Sequence, residues 1–263
     1  MKKLCIGFAV MMSVSAFAAD MTNPFFIPEQ GRFLSQTSAE YVNFKPPHTR
    51  HNQSMVLTEE LTVGVVDDLA LTGMIANEWQ FDYEGAHKHN RWRNPAWALG
   101  MKLNIPAIEE ALKTQVAVRY TQGKTNTFQP IFEHQYQVIT GEAKIGYETA
   151  YGLIPYVGGV FDKIVGKYCS DPLWTGRVGL FNNFDDVVTG DIGVSYGWDM
   201  ERTGWTAGLK EKHANVWTID MAADYMLDED MSVGLTAKYV MRSRQKDAEY
   251  RHYTIGVNFK IGF

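Results

Sequence analysis

Apolar and polar residues alternate along the last segment of the chain. From Tyr253 to Phe263 every second residue is a large apolar one, whereas Thr254, Gly256 and Lys260 occupy intervening positions that are polar or small. A period of two residues is typical of a β-strand with one apolar face and one polar face. The same alternation recurs in the segments 97–104, 115–120, 174–180, 191–198, 217–227 and 231–242. The pattern therefore predicts a protein built mainly from β-strands.

Polar and turn-forming connections divide the chain into twelve such segments. We predict strands at 31–44, 54–66, 69–82, 95–104, 114–122, 135–148, 152–163, 172–181, 187–198, 214–227, 231–243 and 251–263, with ten strands as the alternative count. Most of them have at least the roughly 9–11 residues that a tilted transmembrane strand needs. Short connections such as 67–68 alternate with longer ones such as 199–214, as the periplasmic turns and outer loops of outer-membrane barrels do. The connection 105–113 is long enough for a single helical turn.

The apolar faces of these strands carry aromatic residues close to the strand ends. They are Trp79, Trp97, Trp174, Trp198, Trp217, Tyr225 and Phe263. Aromatic girdles around a polar interior are typical of a transmembrane barrel. The alternative interpretation is a soluble periplasmic sandwich of two sheets. Because hydrocarbon offers no partner to an unpaired backbone amide, a sheet in a membrane has to close. We therefore predict an all-β fold: a single closed antiparallel up-and-down transmembrane barrel.

One position breaks this pattern. Glu59 is in phase with Leu57 and Leu61 on the apolar face of its strand. We expect a β-bulge, or a position at the level of the loops above the lipid, to resolve the conflict.

The N-terminus has the pattern of a secretory signal peptide. Lys2 and Lys3 precede the apolar run Leu4–Met12, and the small-residue pattern around Phe17 ends at Ala18. The apolar run is too short to span a membrane, and the ending is typical of a cleavage site. We therefore predict that residues 1–18 are a signal peptide that is removed.

The predicted mature chain has two parts, a periplasmic N-terminal lead-in at 19–30 and the barrel at 31–263. The lead-in contains the segment Asn23–Pro28, to which the sequence assigns no role. Losing two lysines and no acid leaves 23 basic and 30 acidic residues, a formal charge of −7, which is too mild to predict a nucleic-acid partner. Cys169 is then the only cysteine, so no internal disulfide is expected.

These features together resemble the Gram-negative outer-membrane β-barrel proteins of porin-like architecture. The resemblance rests on the signal peptide, on the final strand Tyr253–Phe263 and on strand-turn-strand units such as Leu61–Gly73. It implies an outer-membrane location, with outer-membrane lipid and the barrel-insertion machinery as partners, and an even strand count puts both termini in the periplasm. In that class the terminal aromatic residue belongs to the signal that the insertion machinery reads, which implies this role for Phe263.

If the apolar faces contact lipid, the phase of each strand identifies the inward residues. The charged ones, seven acids and seven bases, are Glu40, Glu60, Glu78, Lys102, Arg119, Glu142, Lys144, Arg177, Asp191, Asp220, Asp224, Lys238, Arg242 and Lys260. We predict that they line a narrow porin or channel for small polar solutes. The alternative is a closed barrel with a structural or adhesive role, filled by ion pairs. The densest group is expected where Asp220 and Asp224 lie near Lys238, Arg242 and Lys260.

Little in the sequence indicates catalysis. Barrel lipid hydrolases carry a His-x-Ser pattern on one strand, and this chain has neither that pattern nor a nucleophile-elbow, zinc-protease or phosphate-loop motif. His87 and His89 form an isolated His-x-His in a predicted loop, and Cys169 is a loop thiol with no evident base. We expect a protein without enzyme activity, metal or cofactor, and keep an outer-membrane lipid-modifying hydrolase as the second alternative.

Overall fold

The structure, a computed structural model, describes residues 20–45, 52–82, 91–123, 136–165, 173–184, 187–199, 214–243 and 250–263. Twelve strands account for most of them: β1 (Phe33–Lys45), β2 (Asn52–Val66), β3 (Leu69–Asp82), β4 (Arg91–Asn104), β5 (Leu112–Gly123), β6 (Tyr136–Tyr147), β7 (Leu153–Val165), β8 (Leu173–Phe184), β9 (Val188–Asp199), β10 (Ala214–Asp228), β11 (Met231–Ser243) and β12 (Tyr250–Gly262). Each strand pairs with the next one, and β1 pairs with β12. The prediction of a closed antiparallel up-and-down barrel of twelve strands is confirmed. Within the described ranges, no helix has the length and apolar character needed to cross a membrane.

The seam between β1 and β12 closes the barrel. Its register runs from Leu34 opposite Gly262 to Lys45 opposite Arg251. At one end Phe33 N donates to Phe263 O (2.7 Å) and Phe263 N donates to Phe33 O (3.0 Å), and the two rings stack 5.7 Å apart. Because every strand has two neighbours, the sheet has no unpaired edge, which is the condition for a sheet surrounded by lipid.

The large apolar residues of the alternating segments lie on the outside of the barrel. Leu99, Val178 and Leu235 are 61%, 62% and 63% exposed although they belong to regular strands. A soluble sandwich would bury such side chains between its two sheets. The outer surface is therefore the one that contacts lipid, and the sandwich alternative is wrong.

Aromatic side chains meet in pairs between neighbouring strands of the barrel wall. Pairs toward one end are Tyr41 with Tyr253, Trp97 with Tyr120, Phe161 with Trp174, and Tyr196 with Trp217. Phe33 with Phe263 marks the opposite end. These pairs have the placement of the interfacial girdles that the sequence predicted, although the side chain of Trp198 lies outside the described residues.

The two ends of the barrel differ in their connections. The end that we call the turn end holds the start of β1, the end of β12 and the connections 67–68, 105–111, 148–152, 185–187 and 229–230. At the other end, which we call the loop end, the described strands stop. The residues that connect them along the chain, 46–51, 83–90, 124–135, 166–172, 200–213 and 244–249, lie outside the described residues. Short and long connections thus alternate as predicted.

The connection between β4 and β5 contains no helical turn, although it is long enough for one. It is a single tight turn in which Leu112 N donates to Glu109 O (3.0 Å), and Ile105 N donates to Thr114 O (2.9 Å) across its base. The remaining residues of the connection are irregular backbone, and none of them forms a helical turn.

Glu59 lies on the outer face in the middle of β2, so both explanations offered for it are wrong. The ladder of β2 is irregular only near Gln53 and near Gly64, away from Glu59. The carboxylate accepts hydrogen bonds from the hydroxyls of Ser35 (2.6 Å) and Thr37 on β1. Two hydroxyl donors on the neighbouring strand, rather than a change of phase, solvate this carboxylate.

Candidate functional site in the barrel lumen

Residues 20–31, which we call the strap, lie inside the turn end of the barrel. Met21, Phe25, Ile27 and Pro28 are buried although they precede the first strand. The two apolar clusters of the described residues both contain strap side chains packed on the inner wall. The predicted division into a lead-in and a barrel stays a prediction, but the segment Asn23–Pro28 has a defined place in the lumen.

The strap turns at Asn23 and Pro24. Asn23 Oδ1 accepts a hydrogen bond from Phe25 N (2.9 Å), and Asn23 O accepts one from Phe26 N (3.0 Å). Asparagine and proline favour the first two positions of such a turn, because the amide oxygen binds the backbone two residues on and the ring fixes φ. The strap ends at Gly31, whose φ of 78° is in the left-handed region that glycine adopts without steric cost.

Phe25 attaches the strap to β7 and β8. Its ring packs against Ile154, Tyr156 and Phe181, and it meets the Tyr156 ring edge-on at 6.0 Å between centroids. A Cβ on Gly146 would lie only 2.9 Å from the Phe25 ring, so this glycine provides the space for it. Burying one such side chain stabilises the contact by about 1.5–3 kcal/mol.

Polar groups of β4 and β5 bind the strap backbone beside Phe25. Asn104 Nδ2 and Gln115 Nε2 each donate a hydrogen bond to Phe25 O at 3.1 Å, and Gln115 Nε2 also donates to Asn104 Oδ1 (2.8 Å). Gln115 is almost completely buried. Because a buried carbonyl without a partner is costly, these two amides make the enclosed position of the strap energetically acceptable.

The two ends of the strap contact two further parts of the wall. Met21 packs against Met226 of β10, with Phe26 and Leu34 alongside. At the other end Gly31 N donates to Gly64 O (2.9 Å). A Cβ on Gly64 would lie 2.1 Å from the carbonyl oxygen of Glu29, so the strap backbone touches the wall directly there. The strap therefore crosses the lumen from β2 to β7 and β10.

The acidic and basic residues predicted for the lumen lie on the inward positions of their strands. By register these positions are Glu40, Glu60, Glu78, Lys102, Arg119, Glu142, Lys144, Arg177, Asp191, Asp220, Asp224, Lys238, Arg242 and Lys260. The side chain of Arg242 lies outside the described residues. That the set lines a path for solutes stays a prediction.

Among the described residues, Arg177 is the centre of the most highly connected polar group. Its guanidinium contacts Asp220 (2.7 Å) and Asp191 (3.2 Å), and its Nη2 donates to Tyr156 Oη (2.9 Å). Tyr156 Oη in turn donates to Asp191 Oδ1 at 2.9 Å. A Cβ on Gly193 would lie 2.5 Å from Arg177 Nη2, so this glycine of β9 leaves the space that the guanidinium occupies.

Asp220 and Asp224 belong to two separate groups, so the expected single cluster on β10 to β12 is wrong. Asp220 faces Arg177, two strands away across Gly193, whereas Asp224 pairs with Lys260 (3.1 Å) across Gly234 of β11. Sequence phase identifies which face a residue is on, but not which way a long side chain extends along the wall. The inward glycines decide that direction here.

A third group joins Glu60 of β2 to one cation on β4 and one on β5. Lys102 Nζ lies 3.5 Å from Glu60 Oε1, and Arg119 Nη2 lies 3.9 Å from Glu60 Oε2. Both separations exceed the roughly 2.7–2.9 Å of a strong charged hydrogen bond. One carboxylate is thus shared by two cations that it contacts only loosely.

Two cavities flank the strap. The larger, of about 700 Å³, separates the strap from the connection between β4 and β5 and is lined by residues such as Glu29, Asp68 and Glu109. The smaller, of about 180 Å³, lies between the strap and the inner wall. Its polar lining includes Gln36, Glu60, Thr62, Lys102 and Lys260.

Sequence reasoning missed Phe25 and Tyr156. Tyr156 is in phase with Ile154 and Gly158, opposite to Val157, so the alternation within β7 does contain the signal for an inward tyrosine. No strand periodicity covers Phe25, and the sequence assigned no role to the segment Asn23–Pro28 that contains it.

Most of the residues considered for catalysis lie outside the part of the chain that the structure describes. His87, His89 and Cys169 are outside the described residues, and of the other histidines of the chain only the backbone of His252 is described, in β12. Among the described residues there is no group of three or more histidines, cysteines or carboxylates that could hold a metal ion. The expectation that the protein is not an enzyme stays a prediction.

Comparison with solved structures identifies the fold. An outer-membrane channel from Pseudomonas putida F1 is similar with a TM-score of 0.70 at 9% identity, over 92% of this chain and 98% of that one. The NanC porin gives 0.52 at 9% identity, over 84% and 98%. The CymD monoaromatic hydrocarbon channel gives 0.52 at 8% identity, over 95% and 93%. No protein-family model matches the sequence, and no curated protein matches it.

The closed sheet of twelve strands, the apolar outer surface and the similar solved structures define the class of the protein. It has the fold of an outer-membrane β-barrel of porin-like architecture, as the sequence predicted. At 8–9% identity this likeness concerns the fold.

Proposed function

We propose that the protein is an outer-membrane channel for small polar solutes, with its turn end and both termini in the periplasm. The observation that carries the proposal is the contrast between the two faces of the closed sheet: large apolar side chains outside, and charged or small residues inside. A wall of this kind provides polar contacts along a path through hydrocarbon. The likeness to solved outer-membrane channels supports the same role.

Single-channel recording on the mature chain in a planar bilayer tests this function. We expect discrete conductance steps in simple salt, with weak preference between anions and cations, because acids and bases are balanced on the inward face. Insertion is verified separately by protease protection of the barrel in the same lipid. A barrel that inserts but passes no current at any potential would contradict the channel.

One observation favours a second candidate, a closed barrel with a structural role. The strap fills part of the turn end and is held there by apolar packing and by two amide hydrogen bonds. A silent barrel that stays silent after the strap is deleted would support this candidate. Discrete steps from the intact chain would exclude it.

We also propose that Phe263 takes part in assembly by the insertion machinery. Phe263→Ala should lower the amount of folded barrel in the outer membrane of cells, whereas Phe263→Tyr, which keeps the ring that stacks on Phe33, should retain it. Refolding of the purified variants into detergent separates recognition from stability. If Phe263→Ala lowers the yield of folded barrel equally in cells and in detergent, the ring acts only by closing the seam between β1 and β12.

A further inference from the structure

The smaller cavity beside the strap has an uneven distribution of charge. Lys102 and Lys260 line it together with one acid, Glu60. Lys260 is paired with Asp224 at 3.1 Å, which neutralises that side. On the other side, among the described residues, Glu60 is the acid that pairs with both Lys102 and Arg119. The group formed by Lys102, Arg119 and Glu60 therefore carries one positive charge in excess.

The ammonium of Lys102 is poorly satisfied by its neighbour. Its 3.5 Å separation from Glu60 Oε1 is long for a charged pair, and Glu60 is also 3.9 Å from Arg119. An ammonium has three donors, and the long contact to Glu60 engages at most one of them. The Lys102 side chain lines the smaller cavity and is only 27% exposed. Ammonium donors that face such an enclosed space favour an anionic acceptor there.

The rest of the lining combines polar and apolar groups. Gln36 and Thr62 contribute an amide and a hydroxyl, whereas Pro24, Phe26 and Leu34 contribute apolar surface. The volume of about 180 Å³ is below the roughly 300–1,000 Å³ of pockets for drug-sized ligands. The cavity thus fits an anion that is small and has a short apolar part.

We propose that this cavity is a binding site for small carboxylates, with Lys102 as the principal donor to the carboxylate and the strap residues Pro24 and Phe26 against the alkyl part. The inference deepens the proposed channel function, because it names the class of solute that pauses beside the strap. Glu60 has the opposite effect to Lys102: it competes with the incoming carboxylate for the same ammonium.

Equilibrium binding of butyrate to the mature barrel in lipid nanodiscs tests the site without requiring conduction. Ligand-observed NMR against empty nanodiscs gives the affinity, and butylammonium is the probe of opposite charge and equal size. We expect binding of butyrate and at least tenfold weaker binding of butylammonium. Equal binding of the two probes would overturn the proposal.

Two variants should shift the butyrate affinity in opposite directions. Lys102→Gln removes the donor charge and should weaken binding about tenfold or more, as expected for the loss of one charged hydrogen bond. Glu60→Gln removes the competing carboxylate and should strengthen binding. A purely structural role for the pair would instead make both variants weaken binding, and that result would overturn the proposal.

Lys113→Gln is the matched control. Lys113 pairs with Glu148 at the turn end and does not line the smaller cavity. We expect the Lys113→Gln variant to bind butyrate with wild-type affinity. If its affinity fell as much as that of Lys102→Gln, the effect would come from overall charge rather than from this site, and the proposal would be overturned. Butyrate binding by a barrel that conducts no current would leave this site intact and contradict the channel. Conductance without butyrate binding would support the channel and contradict the butyrate site.

Discussion

Gly64→Val is expected to release the strap from the wall and to raise the single-channel conductance severalfold. A Cβ on Gly64 would lie 2.1 Å from Glu29 O and 2.2 Å from Pro28 O, both backbone atoms of the strap. Backbone atoms cannot yield as the tip of a side chain does, so the strap has to move away. The barrel itself should remain closed, because the β1 to β12 seam is a separate ladder of backbone hydrogen bonds.

Two controls make this prediction specific. Gly176→Val makes the same change at an outer position where a Cβ would meet nothing within 4 Å, and it should leave the conductance unchanged. Deletion of residues 19–28 gives the reference conductance of a barrel that lacks most of its strap. The conductance of the Gly64→Val variant should approach that reference value. Conductance that does not change on deletion would show that the strap does not limit flow.

Arg177→Met is expected to cost the most stability among single changes to the inner wall. The side chain contacts Asp191, Asp220 and Tyr156 at once, at 2.7–3.2 Å. Removing it leaves two carboxylates facing each other without a cation. Because the three charged side chains are still 22–27% exposed to water in the lumen, we expect a loss of about 1.5–3 kcal/mol rather than the larger cost of a fully buried pair.

Unfolding in denaturant, followed by tryptophan fluorescence, measures the loss as a lower transition midpoint at an unchanged slope. Lys113→Met is the control, because it breaks a half-exposed ion pair at the rim and should change stability by less than about 1 kcal/mol. Adding Asp191→Asn and Asp220→Asn to Arg177→Met should restore at least half of the loss. Failure of that rescue would mean that the guanidinium acts by packing on the Tyr156 ring, 5.6 Å away, rather than by charge.

The local pattern of the chain was sufficient to predict the barrel. Strand formation and the face on which each residue lies depend on a period of two residues, and the strand number depends on the polar connections between the alternating segments. Both are properties of neighbouring positions. Leu235 and Lys238 were therefore assigned correctly to the outer and inner faces. Strand ends were less accurate: β4 begins at Arg91 rather than at 95, because backbone pairing continues where the side-chain pattern fades.

The arrangement of the lumen was decided by the tertiary structure. Asp220 turned to Arg177 rather than to Lys238, because Gly193 leaves space along the wall in that direction. Glu59 kept its outer position because Ser35 and Thr37, more than twenty residues earlier, supply two donors. Contacts between strands distant in sequence decide such outcomes, and no local period encodes them.

The strap shows most clearly which features depend on local sequence and which depend on the tertiary structure. The sequence determined its turn, since Asn23 and Pro24 favour one by their own chemistry. Its place inside the barrel depends on Gly64, Gly146 and the amide of Gln115, which are brought together only when the sheet closes. By itself the sequence determined a polar-lined barrel, and the closed tertiary structure determined what occupies its turn end, because a lumen exists only once the first and last strands have paired.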